Sequence, residues 1–173
     1  MARAFIAVGS NIEPAENVRA AVRLLAARVR VEGISTVYQT EPLGRPEQES
    51  YYNCVVEVET DLGPRDLKWS VLGPIEERLG RVRGEDKYAP RTMDLDVIVY
   101  GGLAVTEEGL TLPDPEILRR PFLAVPLAEL APGLSLPGLG VTAEEAAERL
   151  PREGMRPLDG YTESLRREVL REY

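Results

Sequence analysis

Apolar residues change their spacing several times along the chain, and each change marks an element. Residues 3–8, RAFIAV, are a short apolar run closed by Gly9 and read as a strand. Pro14 then opens a helix in which Val18, Val22, Leu25 and Val29 recur at helical spacing and build one apolar face. Residues 31–39 read as a second strand, and the polar, proline-containing stretch 40–50, TEPLGRPEQES, as a loop long enough to carry function. In residues 51–60, YYNCVVEVET, Cys54, Val56 and Val58 alternate with Val55, Glu57 and Glu59, a partly one-sided strand pattern. Pro64 opens a second helix with Leu67, Val71, Ile75 and Leu79 on one face, and Gly73-Pro74 inside it predicts a kink or a break. A second polar loop, 80–92, leads into the most apolar strand, 93–102, MDLDVIVYGG, and then into a hairpin turned at Glu107–Gly109. Beyond residue 113 the pattern is loop and helix. TAEE at 142–145 fits a capping box for a helix to about Leu150, and Thr162 is placed to cap a last helix carrying Leu165, Val169 and Leu170.

Strand, helix, strand, strand, helix, strand is the order of an α+β, ferredoxin-like βαββαβ fold. It predicts an antiparallel sheet with both helices on one face, extended here by a C-terminal helical tail from about 150 to 173. The expectation is a single domain over residues 1–173. That architecture hosts many chemistries and selects none.

Composition narrows the chemistry. The chain contains no histidine and one cysteine, Cys54, which lies in a strand-like run and reads as a small buried hydrophobe. Ser-His-Asp and Cys-His catalysis are therefore excluded, as are histidine metal ligands and an intramolecular disulfide. Any metal must be held by oxygen, which points to magnesium, manganese or calcium. The net charge of −8 argues against nonspecific nucleic-acid binding. Only Lys68 and Lys87 are lysine, so anionic groups meet mostly arginine forks. No apolar run reaches membrane-spanning length and the opening residues do not pattern as a signal peptide, so a cytoplasmic location without membrane association is expected.

The apolar strand begins with two carboxylates. Asp94 and Asp96 are two apart, so they share a face with Cα atoms roughly 6.5 Å apart, while Met93, Leu95 and Val97 turn the other way. Such a pair can bracket two magnesium ions, which lie about 3.5–4 Å apart in phosphoryl-transfer sites. A solvated strand end, salt-bridged to Arg91, is the alternative. Arg91 precedes the pair and Arg81 and Arg83 lie in the loop before it, which favours a polyphosphate site. Neither GxxxxGK[ST] nor GxGxxG occurs, so a nucleotide would be held by metal and arginine. Tyr51 and Asn53 share a strand face and suit a flat heterocycle, with Phe122 available as an opposite ring.

These blocks together, KYAPRTMDLDVI with the early GSN, the TEPLG and YYN stretch and LTLPDPEILRRPF, resemble the 6-hydroxymethyl-7,8-dihydropterin pyrophosphokinases of folate biosynthesis over residues 3 to about 132. The resemblance implies diphosphate transfer from ATP to 6-hydroxymethyl-7,8-dihydropterin, with Asp94 and Asp96 holding two Mg²⁺ ions. It implies a pterin between Tyr51 and Phe122, its edge read by Asn53 and by Thr40, Glu41, Pro42 and Leu43. Arg81, Arg83, Arg91 and Arg120 would surround the triphosphate, Arg81 and Arg91 in catalytic roles. Val97 and Thr111 would meet the adenosine part, with Glu76 and Tyr88 also on the nucleotide side. The loops at 40–50 and 81–91 would close over the substrates, and the protein would be a monomer. Two positions depart from the family pattern. Asp114 stands where a histidine is usual, so no ATP role carries over to it, and Tyr88 stands where a tryptophan is common. A nucleotidyl transferase and a ligand-binding regulatory domain are the rival readings. The former would release pyrophosphate rather than AMP, and the latter leaves the aspartate pair and the arginines unexplained.

Overall fold

The computed structural model describes residues 1–40, 50–80 and 93–170. Its first strand, β1 (Ala2–Ser10), lies at the centre of the sheet because almost every residue after Arg3 is apolar or small and can be buried on both faces. It is followed by α1 (Pro14–Ala26), whose Val18, Ala21, Val22 and Leu25 face the core. The second expected strand is broken in two, β2 (Arg30–Ile34) and β3 (Tyr38–Thr40), and both pair with β4 (Tyr51–Thr60). Ser35 bridges the break. Its backbone N–H donates to the Val55 carbonyl and its hydroxyl accepts from the Val55 N–H, each at 2.9 Å, so both of these N–H groups stay paired across the break.

Pro64 begins a helical run in three parts, α2 (Pro64–Asp66), a π-helical segment (Leu67–Leu72) and α3 (Gly73–Arg78). The Gly73-Pro74 pair thus neither breaks nor ends the helix. The π turn widens the ring, with the Gly73 N–H reaching the Lys68 carbonyl, and it absorbs the proline's missing donor. The extra residue also shifts the buried face, so Leu67, Val71, Leu72, Ile75 and Glu76 all turn inward.

Strand β5 (Asp94–Tyr100) follows, then the hairpin β6 (Val105–Glu107) and β7 (Leu110–Leu112), turned at the expected place. Gly109 sits at φ 77° in that turn, a conformation that suits glycine. The sheet runs β5-β1-β4-β3, with β2 also against β4, and all of these pairings are antiparallel. Counting β2 and β3 as one broken strand gives the ferredoxin-like order.

Helices α1 and α3 cover one face, with Ile6, Val8, Val56, Met93 and Leu95 in the shared core. The other face is covered as well. A 3-10 helix (Pro115–Leu118), α4 (Pro121–Leu130) and α5 (Ala143–Glu148) pack there against Phe5, Val55, Ile98 and Val99. The capping box on α5 is present as expected, with the Thr142 hydroxyl accepting from the Glu145 N–H and the Glu145 carboxylate accepting from the Thr142 N–H.

The last helix, α6 (Asp159–Val169), starts three residues before the expected cap. Thr162 lies inside it, where its hydroxyl donates to the Leu158 carbonyl at 2.8 Å and accepts from the Val37 N–H at 2.9 Å. The tail therefore reaches back to the sheet. Strand β8 (Arg156–Pro157) pairs with β3, Leu165 enters the core, and Arg19 of α1 bonds Glu168 at 2.6 Å. No helix among the described residues is long and apolar enough to cross a membrane.

Candidate active site

The strand register places the sequence-picked residues in rows. Tyr38 of β3 stands opposite Asn53 of β4, Asn53 opposite Gly9 of β1, and Gly9 opposite Asp94 of β5. In the adjacent row Val55 faces Ala7 and Ala7 faces Asp96. Residues opposite one another project to the same side of a sheet. Asn53, Asp94 and Asp96 therefore rise from one face, the face that α4 covers further along. Two strand spacings separate Asn53 from Asp94, about 10 Å.

Gly9 makes this row possible. A Cβ there would meet Asn53 Oδ1 at 2.8 Å and Tyr51 Cδ1 at 3.9 Å, so both side chains lie over bare backbone. Asn53 is 8% exposed, and its Nδ2 donates to Thr40 Oγ1 at 2.7 Å, which fixes the amide plane. Thr40 stands opposite Tyr51 in the ladder. Phe122 opens α4 on the same side of the sheet, with the Arg120 guanidinium 5.6 Å from its ring centre. Arg120 also donates to Glu116 at 2.6 Å, and that contact holds the Glu116 carboxyl below its ordinary range. Tyr51, Asn53, Thr40 and Phe122 thus lie on one side of the sheet.

At the other end of the row, Leu95 is buried between the two half-exposed aspartates, in line with the alternation. The β5 edge is held from outside the sheet, since Glu76 Oε2 accepts the Leu95 N–H at 2.8 Å. Glu76 is 4% exposed, so this carboxylate is part of the wall behind the aspartates. Val97 points its side chain into the core at 2% exposure, and Thr111 stands exposed on β7 opposite Thr106. Glu41, Pro42, Leu43, Arg81, Arg83, Tyr88 and Arg91 lie outside the described residues.

Two groups beside the aspartates have no role assigned from the sequence, Lys68, which stands out there only as one of two lysines, and Asp114, which stands out only as a departure from the family pattern. Lys68, in the π-helical segment, brings Nζ to 3.4 Å from Asp96 Oδ1. Asp114 docks against β5, its N–H donating to the Ile98 carbonyl at 2.8 Å. Its Oδ1 accepts from the Glu116 N–H at 2.9 Å and so caps the 3-10 helix, a use for a carboxylate at a position where histidine is usual. The crowding shows in the acidities. Burial pushes the Asp96 carboxyl up to about 6, Lys68 opposes this, and the charges of Asp114 and Asp94 add to it. Burial likewise raises the Asp114 carboxyl.

Two all-oxygen donors on one strand face, with an ammonium drawn to one of them, suit a hard cation. Among the described residues no three histidine, cysteine, aspartate or glutamate groups are gathered as a metal cluster. A cation here would complete its shell with water or substrate oxygens, as magnesium does in nucleotide sites.

Sequence comparison decides the family. The pattern of the 7,8-dihydro-6-hydroxymethylpterin-pyrophosphokinase (HPPK) family matches residues 5–132. The chain belongs to this family. It is 40% identical over 158 residues to the 2-amino-4-hydroxy-6-hydroxymethyldihydropteridine pyrophosphokinase of Methylorubrum extorquens, covering 90% of this chain and 98% of that one. Identity to the enzyme of the same name from Haemophilus influenzae is 37% over 147 residues, 83% of this chain and 91% of the other. The HPPK-DHPS protein of Plasmodium falciparum superposes with a TM-score of 0.65 at 11% identity, over 91% of this chain and 47% of that one, a likeness of fold. This HPPK-family chain is thus an enzyme of the diphosphokinase type, with the ferredoxin-like fold its strand order indicates.

Proposed function

We propose that the protein transfers diphosphate from ATP to 6-hydroxymethyl-7,8-dihydropterin in folate biosynthesis, acting in the cytoplasm as one unit that includes its C-terminal tail. The observation that supports this best is the row Asn53–Gly9–Asp94, which sets an amide suited to a heterocycle edge about 10 Å from a carboxylate pair suited to metal-bound phosphates. That span fits a pterin lying flat with its hydroxymethyl arm directed at the metal end.

In this reading Tyr51 and Phe122 enclose the ring, and Asn53 with the Thr40–Leu43 segment reads its polar edge. Asp94 and Asp96 would hold two magnesium ions, which when bound would supply charge neutralisation for the nucleotide's phosphates. Arg81, Arg83, Arg91 and Arg120 receive the triphosphate, with Thr111 and Tyr88 on its nucleoside side and the buried Val97 and Glu76 backing that end of the site. The hydroxymethyl oxygen forms a bond to the β-phosphorus. The bond from that phosphorus to the α,β-bridging oxygen breaks, AMP leaves with the oxygen, and the hydroxyl proton passes to solvent. No described side chain stands out as a strong base, so the protein contributes orientation and electrostatics.

Incubating the protein with MgATP and the pterin, and resolving the nucleotides, tests the assignment. AMP with pterin diphosphate in equal amounts is the expected result. ADP would mean γ-phosphoryl transfer and free pyrophosphate would mean nucleotidyl transfer, and either refutes the proposal.

A further inference from the structure

Lys68 is held more firmly than a surface lysine. Its side chain is 23% exposed, and Nζ donates to the Gly109 carbonyl at 2.8 Å while lying 3.4 Å from Asp96 Oδ1. The contact joins three elements, the π-helical segment, the β6–β7 turn and β5. The neighbouring Trp69 ring covers the turn, close enough that a Cβ on Gly109 would sit 3.2 Å from it. The ammonium also acts on Asp114, whose negative charge reaches Asp96 as well.

A divalent cation at the aspartate pair would approach an oxygen that already faces an ammonium. The two positive charges repel, and the anchored lysine has little freedom to withdraw. Two carboxylates alone are a thin donor set for magnesium. A triphosphate changes the balance, since it brings several negative charges and further oxygen ligands. We propose that Lys68 is a positioning residue, a tethered counter-cation that holds Asp96 in the nucleotide-free enzyme and makes divalent-cation loading depend on nucleotide. The inference rests on the assignment of Asp94 and Asp96 as metal ligands under the proposed function.

Manganese binding, followed by the loss of the free-ion electron paramagnetic resonance signal, tests it without turnover. In the absence of nucleotide, Lys68→Gln and Lys68→Met should bind Mn²⁺ about tenfold more tightly than the unmodified protein. Lys68→Arg, which keeps the charge, should stay within about twofold of it. With a non-hydrolysable ATP analogue present, the gain in the Gln and Met variants should shrink to about twofold. Gln keeps an N–H for the Gly109 carbonyl, so it tests charge even if Met disturbs the turn. Unchanged or weaker Mn²⁺ binding in a folded Gln variant overturns the proposal, as does an Arg variant that behaves like Gln. The two readings fail separately. Diphosphate transfer with unshifted Mn²⁺ affinities removes only the role of Lys68, whereas shifted affinities without transfer remove only the reaction.

Discussion

Gly9→Ala isolates the geometry on which the pterin end depends. The backbone there needs no special φ, so the added methyl acts only through what it touches. Its nearest neighbour would be Asn53 Oδ1 at 2.8 Å, and ordinary contact begins at 3.4 Å. The amide must therefore retreat by about 0.6 Å, enough to spoil hydrogen bonds of ordinary length. Asn53 is buried and already tied to Thr40 at 2.7 Å, so it cannot swing away without losing that bond. Misplacing a group that reads one or two polar atoms of a ligand costs about 1–3 kcal/mol. That is about 5- to 150-fold in Kd. Isothermal titration with 6-hydroxymethyl-7,8-dihydropterin measures it, and titration with an ATP analogue is the control. Pterin affinity should fall by that factor and nucleotide affinity by less than about twofold. An Ala variant with the thermal stability of the parent and an unchanged pterin Kd would refute the claim that Gly9 exists to seat Asn53.

Asp94→Asn and Asp96→Asn should each lower kcat by at least about a hundredfold at saturating Mg²⁺ with the fold intact, and near-normal turnover in either would remove that carboxylate from metal binding. Glu76→Met leaves the Leu95 N–H without its acceptor, and the loss of about 1–3 kcal/mol should appear as a Tm lower by about 2–12 °C in scanning calorimetry. In chelator, the folded state takes up a proton at Asp96 more readily than the unfolded chain, because the carboxyl rises from 3.8 to about 6 on folding. That contribution to stability is fully present below about pH 4 and is lost as pH rises through about 6. Replacing Asp96 by Asn should flatten this part of the Tm-against-pH curve, and an unchanged slope would contradict the crowding of carboxylates at β5.

The parts of the structure written in short-range pattern were legible. Alternation along β5 separated Leu95 from its two aspartate neighbours, TAEE announced the cap of α5, and the turn at Gly109 was visible in its residues. What depends on contacts between distant segments was not. Helix α4, PFLAVPLAEL, is apolar on most sides because it is wedged between the sheet and α5, so it shows no helical period. Its cover makes the sheet two-sided, where the strand pattern suggested one buried face. Gly73-Pro74 signalled an irregular helix, yet whether it would kink, break or widen was settled by packing. Lys68 offered one clue, as one of two lysines among many arginines, and Glu76 another, as a charge next to an apolar face. Neither clue names a partner, because Asp96 and Leu95 approach only when β5 closes against the helical run.

The pairing of β8 with β3 bears on how such a chain avoids sticking to its own copies. Beyond β3 the sheet would end in an open row of donors and acceptors running to Thr40, a template for another molecule's strand. The tail replaces it with an edge two residues long, of which Pro157 has no N–H to offer. A shortened chain ending near residue 150 would thus expose the edge of β3 at Tyr38 and Gln39, next to Thr40, and a strand from a second copy could pair there.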